Sequence, residues 1–226
     1  MLEVQLSHYT PFSFTDAYWR LSSAERKEFL NRLAGDLPGL ADRVYFYNLF
    51  PTRSEADVMV WSALAAKTPG TAREFFMRFA KVSSGWRQFL RPTKTLWGFT
   101  RPSVYASGKS SQELNPLEGE RRPYLIVYPF HKTAEWYLMS REDRQAMMNE
   151  HIRVGRQYTE ITQLLLYSTG LQDQEFVVVY ETEDLARFSA LVTELRGVQG
   201  RKYTAWDTPI YTAVYAPQEE LMSNWT

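Results

Sequence analysis

The chain contains no cysteine, which excludes disulfides, thiolate metal sites and cysteine nucleophiles. Histidine is scarce as well: His8, His131 and His151 are the only three, so imidazole chemistry has few places to reside. Net charge is also missing. The 26 Lys and Arg residues balance 26 Asp and Glu with no basic block, so nucleic acid and an anionic membrane surface are not expected partners. No apolar run approaches the roughly 20 residues of a membrane span. The start, MLEVQLSHYT, has neither the charged head nor the apolar stretch of a signal peptide, so a cytoplasmic location is expected. A glycine-rich phosphate loop, a Ser-His-Asp arrangement and zinc-ligand spacing are likewise absent.

What is present is enough apolar material for a sizeable core. With 226 residues, 44% hydrophobic and 15% aromatic, the chain fits one large domain or two small ones sharing an interface. Val4, Leu6 and His8 alternate with polar residues as in a strand, and the segment Ser22–Leu40 repeats apolar residues at helical spacing. Ser22 with Glu25, and Thr71 with Glu74, read as capping boxes, each opening a helix. Strand-like runs at Val44–Phe50, Asp57–Ala65 and Thr95–Val104 complete a β-α-β-β-α-β order.

Ser107–Pro123, rich in Ser, Gly, Glu, Asn and Pro, reads as a linker. Beyond it the order recurs: strand Tyr124–Phe130, a helix capped at Ser140, strands Gln163–Ser168 and Glu175–Glu181, a helix capped at Asp184, and strand Thr208–Val214. The caps are 49 positions apart in the first half and 44 in the second, as two related units require. The expectation is an α+β fold of two ferredoxin-like repeats, residues 1–106 and 124–226, joined by a linker over 107–123. Their antiparallel sheets would pair into a barrel under outer helices, leaving an apolar hollow between sheet and helix for a flat ligand.

His151 shares a helical face with Met147, Met148, Val154, Gly155 and Tyr158. An apolar wall with a glycine one turn away suits an axial iron ligand, and it equally suits a buried, hydrogen-bonded histidine. Tyr128-Pro-Phe-His-Lys132 followed by Trp136-Tyr137 gathers a phenol, an imidazole, an amine and an indole. These could serve redox and carboxylate chemistry, or simply form an aromatic sheet edge. The acidic stretch Asp173, Glu175, Glu181, Glu183 and Asp184 crosses a turn and a strand end, where solvated charge is the expected state rather than a cation site.

Taken together, Tyr128-Pro-Phe-His-Lys132, Trp136-Tyr137, Met148-Asn-Glu-His151-Ile-Arg-Val-Gly155-Arg156-Gln-Tyr158, Tyr167-Ser-Thr-Gly170-Leu-Gln-Asp173 and Asp207-Thr-Pro209 resemble the chlorite dismutase and coproheme decarboxylase superfamily. The resemblance is strong in the C-terminal half and rests on pattern alone in the N-terminal half. It implies an iron porphyrin, coproheme or haem b, with His151 as proximal ligand to iron. It also implies a paired ferredoxin-like barrel, commonly a homopentamer. Chlorite dismutases carry a distal arginine about a dozen residues after that histidine. Here Thr162–Leu166 contains none, and Gln163 is the nearest polar side chain, as decarboxylases tend to have. Losing a guanidinium removes a fixed cation for an anionic oxidant.

By the same resemblance Tyr128 corresponds to the decarboxylase tyrosine, Lys132 and Arg156 to propionate-binding cations, and Trp136 to a wall of the porphyrin site. The implied reaction uses hydrogen peroxide to convert two coproheme propionates to vinyl groups. A chlorite dismutase-like haem peroxidase and a non-catalytic haem-binding or haem-sensing protein are the alternatives. The last helix ends Gly197-Val-Gln199-Gly200, without the acidic partner that family members often give the proximal imidazole, and robust peroxidase behaviour is not expected.

Overall fold

A computed structural model describes residues 4–105 and 111–226, so residues 107–110 of the expected linker lie outside the described residues. The N-terminal half runs β1 (Gln5–Phe14), α1 (Asp16–Trp19), α2 (Ser23–Asp36), β2 (Arg43–Asn48), β3 (Val58–Ala65), α3 (Thr71–Ser84), β4 (Leu90–Pro92) and β5 (Leu96–Phe99). The C-terminal half runs β6 (Tyr124–Lys132), α4 (Ala134–Leu138), α5 (Arg141–Gly155), β7 (Thr162–Tyr167), β8 (Phe176–Thr182) and α6 (Leu185–Arg196). A 3-10 turn (Gln199–Tyr203), β9 (Thr204–Trp206), β10 (Tyr211–Tyr215) and α7 (Gln218–Asn224) complete it. No helix is long and apolar enough to cross a membrane among the described residues.

The strand orders of the two halves match. The first reads β2-β3-β1-β5 and the second β7-β8-β6-β10, which is the ferredoxin-like order twice over. Antiparallel pairing of β10 with β2, and of β5 with β7, closes the two sheets into a barrel. Period-two alternation then sorts each strand. Leu125, Val127, Leu164, Leu166, Val177 and Val179 fill the barrel, while Ile126, Tyr128, Phe130, Val178 and Tyr180 face outward beneath α5 and α6.

The β5–β7 seam is narrow, with Phe99 opposite Tyr167 as its only registered pair. Gly98 makes this approach possible, because a Cβ there would stand 2.7 Å from the Tyr167 carbonyl oxygen. Below that point the segment expected as a linker fills the gap. Gln163 donates its backbone N–H to Gln112 O at 2.7 Å and accepts from Leu114 N at 2.8 Å, and Leu114 is buried in the barrel. The segment therefore supplies both backbone partners and a core side chain.

Ser22 and Glu25 form the expected capping box, and Ser140 and Asp184 cap their helices. The second expected box is absent. Gly70 is the N-cap of α3, and the Thr71 hydroxyl accepts the backbone N–H of Thr68 at 3.2 Å, which places it inside the first turn rather than before it.

Candidate functional site

α5 begins at Ser140, whose hydroxyl accepts the Asp143 N–H at 3.1 Å. The helix has 15 residues and none of them is buried. A helix over a sheet ordinarily hides one stripe, yet α5 leans on α6 and the 3-10 turn instead of lying flat on the strands. The Glu150 carboxylate accepts the Gln199 N–H at 2.9 Å, and Met147 packs beside Gly200, which fixes this lateral contact. A Cβ added to Gly155 would meet nothing within 4 Å, so the glycine leaves open space on this helix.

His151 is half-buried on α5 and has no hydrogen bond among the described residues. Burial, followed by the charge of Lys132, lowers its pKa and keeps the imidazole neutral. A neutral ring with a free lone pair is the state a metal ligand requires.

Lys132 ends β6 with its ammonium 4.4 Å from the Trp136 ring centroid, 3.3 Å from the Thr204 hydroxyl and 3.4 Å from the Gly200 carbonyl. Burial pushes it down to about 8, Arg201 adding to the shift and Glu175 opposing it. Trp136 is 4% exposed and packs near Tyr203 and Tyr105. Lys132 and Trp136 are thus in contact, and the Lys132 charge reaches His151.

Tyr128 and Gln163 occupy the outer face of the sheet. Gln163 lies opposite Tyr180 in the β7–β8 register, and the Tyr180 ring stacks on Tyr128 at 6.2 Å. Leu164 points into the barrel, so Gln163 and Leu165 are the outward residues at this level, and both are exposed. Burial raises the Tyr128 hydroxyl well above the usual phenol range, so it stays protonated at neutral pH. A cavity of about 240 Å³ opens beside Tyr128, walled by Phe188, Ser189, Val192, Thr193, Arg196 and Ile210; His151 is not part of its wall.

Arg156 is the exposed C-cap residue of α5. Five residues of helix turn it roughly 140° from His151, away from the same stripe. His131 Nδ1 donates to the Lys132 carbonyl, 2.6 Å away, and lies 3.5 Å from Glu175, so it braces the strand end. The acidic stretch is dispersed: Glu175 accepts the Lys132 N–H, Glu181 lies inside the barrel, and Asp184 caps α6. No group of potential metal-binding acids and histidines occurs among the described residues.

Two contributors escaped the sequence reading, Tyr180 beneath Tyr128 and Arg144 on α5, and Glu175, expected as solvated charge, is instead buried beneath the Lys132 backbone. For Arg144 a signal existed, since it precedes His151 by seven residues, two helical turns.

The iron porphyrin implied by the sequence resemblance suits these residues on several counts. The helix carrying His151 has no buried face, Gly155 leaves room, Leu165 stands 38% exposed on the outer sheet face, and the buried Arg144 Nε has no hydrogen-bond partner. His151 would be the metal donor, and Lys132 the nearest cation for a carboxylate.

A family model described as chlorite dismutase matches residues 20–216. Coproheme decarboxylase of Mycolicibacterium smegmatis is 27% identical over 177 residues, covering 78% of this chain and 74% of that protein. Chlorite dismutase of Ideonella dechloratans is 24% identical over 222 residues, covering 95% and 77%. Among solved structures, chlorite dismutase from Candidatus Nitrospira defluvii in complex with imidazole superposes with a TM-score of 0.83 at 25% identity, covering 98% of this chain and 94% of that one.

Proposed function

This chain belongs to the chlorite dismutase family, and from that premise we propose that it is a haem-dependent oxidoreductase whose substrate is coproheme, decarboxylated with hydrogen peroxide. The observation that carries the reading is His151: neutral, without a hydrogen bond among the described residues, and set on a helix with no buried face. Two features favour a decarboxylase over chlorite chemistry. Gln163 is the nearest polar side chain in the strand where the resemblance puts the arginine of chlorite dismutases, and Tyr128 is a protonated, buried phenol on the same sheet face. Relatives named coproheme decarboxylase, matching 78% and 76% of this chain, support it.

The iron of the porphyrin supplies the oxidising chemistry with peroxide that no side chain carries. His151 offers its lone pair as the proximal donor, and Trp136 holds Lys132 in place so that its ammonium can bind a propionate. Arg156, exposed at the C-cap of α5 and turned away from the His151 stripe, is proposed from the resemblance alone as a second cation for a carboxylate. Gln163 contributes a neutral amide that can hydrogen-bond peroxide without attracting anionic chlorite.

Tyr128 is the hydrogen-atom relay. As a phenoxyl it takes hydrogen from the propionate chain and so recovers its phenol. Each propionic acid and one hydrogen peroxide then yield one vinyl group, one carbon dioxide and two waters. The stacked Tyr180 shares the low-dielectric surroundings that keep the Tyr128 proton in place.

The test is to load purified protein with coproheme, titrate hydrogen peroxide and follow porphyrin mass. The proposal predicts stepwise loss of two carboxyl groups, and in Tyr128→Phe retained binding with no conversion. Conversion by Tyr128→Phe would remove the relay role; unchanged mass with the wild-type protein would remove the decarboxylase assignment and leave haem binding.

A further inference from the structure

Arg144 lies seven residues before His151 in α5, with Met148 between them. At 3.6 residues per turn, seven residues return to within about 20° of the starting direction, so the guanidinium and the imidazole belong to one stripe. The Arg144 Nε is buried and has no hydrogen-bond partner, and the side chain makes no ion pair among the described residues. A buried guanidinium nitrogen left unpaired is costly, and such groups normally find an acceptor. Glu175, which with Arg144 influences the Tyr137 hydroxyl, is already engaged by the Lys132 N–H at 2.8 Å and by His131 at 3.5 Å. Arg121, the other arginine with a buried unpaired Nε, has Glu181 at 3.5 Å; Arg144 has no such counter-charge. Its positive field does reach the Tyr137 hydroxyl at the edge of the site.

We infer that Arg144 is a carboxylate anchor of the His151 site, gripping one acid group of the bound porphyrin from the helix while Lys132 grips another from the sheet. The inference rests on the porphyrin-binding reading above and adds a residue that neither Lys132 nor Arg156 replaces. A planar fork of donors suits a carboxylate better than a point charge, and a cation on each wall would fix the in-plane orientation of the ring as well as its affinity.

The experiment compares three ligands by absorbance titration: coproheme, protohaem, and protohaem dimethyl ester, whose acid groups are esterified. Arg144→Leu keeps helix propensity and apolar bulk, and its fold is checked by circular dichroism. The inference predicts that the variant loses about tenfold or more in affinity for coproheme and protohaem, since each factor of ten is one lost charge-assisted contact. Affinity for the dimethyl ester should be unchanged, and Arg144→Lys should recover part of the loss. Equal weakening for all three ligands, or unchanged coproheme affinity, would overturn the anchor while leaving the porphyrin site standing. Failure of the wild-type protein to bind any of the three would overturn the site itself.

Discussion

Lys132 holds its proton loosely because burial and the nearby Arg201 outweigh the favourable charge of Glu175, leaving it at about 8. Only the charged form binds a carboxylate, so porphyrin affinity should fall as pH rises through about 8 rather than through the usual lysine range near 10.5. Lys132→Arg should abolish that fall, because a guanidinium stays charged throughout. Titrations from neutral to alkaline pH decide it, and a wild-type affinity flat up to about pH 10 would contradict the assignment. His8 shows the opposite use of burial. It is 4% exposed, edge-on to Phe75 and Phe79 at 5.3 and 4.9 Å, with Nδ1 3.1 Å from the Thr10 hydroxyl. Burial lowers its pKa to about 3, so the unfolded chain takes up the proton first as pH falls. Stability should drop by about 1.4 kcal/mol per pH unit between about 6.5 and 3 from this group alone. Urea unfolding of His8→Phe should show a shallower acid limb than wild type, and identical limbs would contradict the account. His151, Lys132 and Trp136 stand out in the sequence because they sit in short motifs; Arg144 shares the His151 face by its seven-residue spacing, but nothing in sequence says that a helical arginine lacks a counter-charge.

At the scale of elements, two helices in equivalent places behave differently. α2 buries Phe29, Leu30, Leu33 and Ala34, which fill the space between helix and sheet. α5 has the same length to within a residue but buries no residue, and its Val154 is only partly covered against the core beneath. The pattern of elements repeats, and the buried apolar stripe of α2 is what the proposed porphyrin half lacks. What keeps α5 in position without a buried stripe is partly Gln112, whose amide donates to the carbonyls of Gly155 at 3.2 Å, Tyr158 at 2.8 Å and Ile161 at 3.2 Å. The Gly155 and Tyr158 carbonyls also accept the N–H groups of Tyr158 and Ile161 at 3.1 and 3.0 Å, so the amide reinforces the turns that end the helix. Gln112→Ala should cost about 1–2 kcal/mol and speed amide exchange around Tyr158–Ile161. Hydrogen-exchange mass spectrometry checks this, and unchanged exchange there would contradict the role given to Gln112. Long periodic helices and strands were readable from spacing, whereas α1, β4, β9 and α7 are too short to show a period.

At the scale of the molecule, the sequence pattern conveys two similar halves but not how they join. Closure depends on Gly98 at one seam, on backbone bonds from residues 112–114, and on Arg121 entering the barrel beside Glu181 with both side chains almost fully buried. Glu181 is raised to about 7 by burial, Arg121 opposing the shift. The Arg121 guanidinium lies over the Tyr45 and Trp61 rings at 4.8 and 5.2 Å. Composition alone marks the segment as a linker, because a Ser, Gly and Pro content gives no hint that one of its arginines is a core residue. The barrel so closed presents the outer sheet face, α5 and α6 as a fixed frame, and the claim that depends on all of it is that His151 binds iron. Resonance Raman spectroscopy of the reduced coproheme complex tests this most directly. The account predicts an iron–imidazole stretching band in the wild-type protein, its loss in His151→Ala and its return when free imidazole is added, whereas the same band persisting in His151→Ala would show that another group holds the metal.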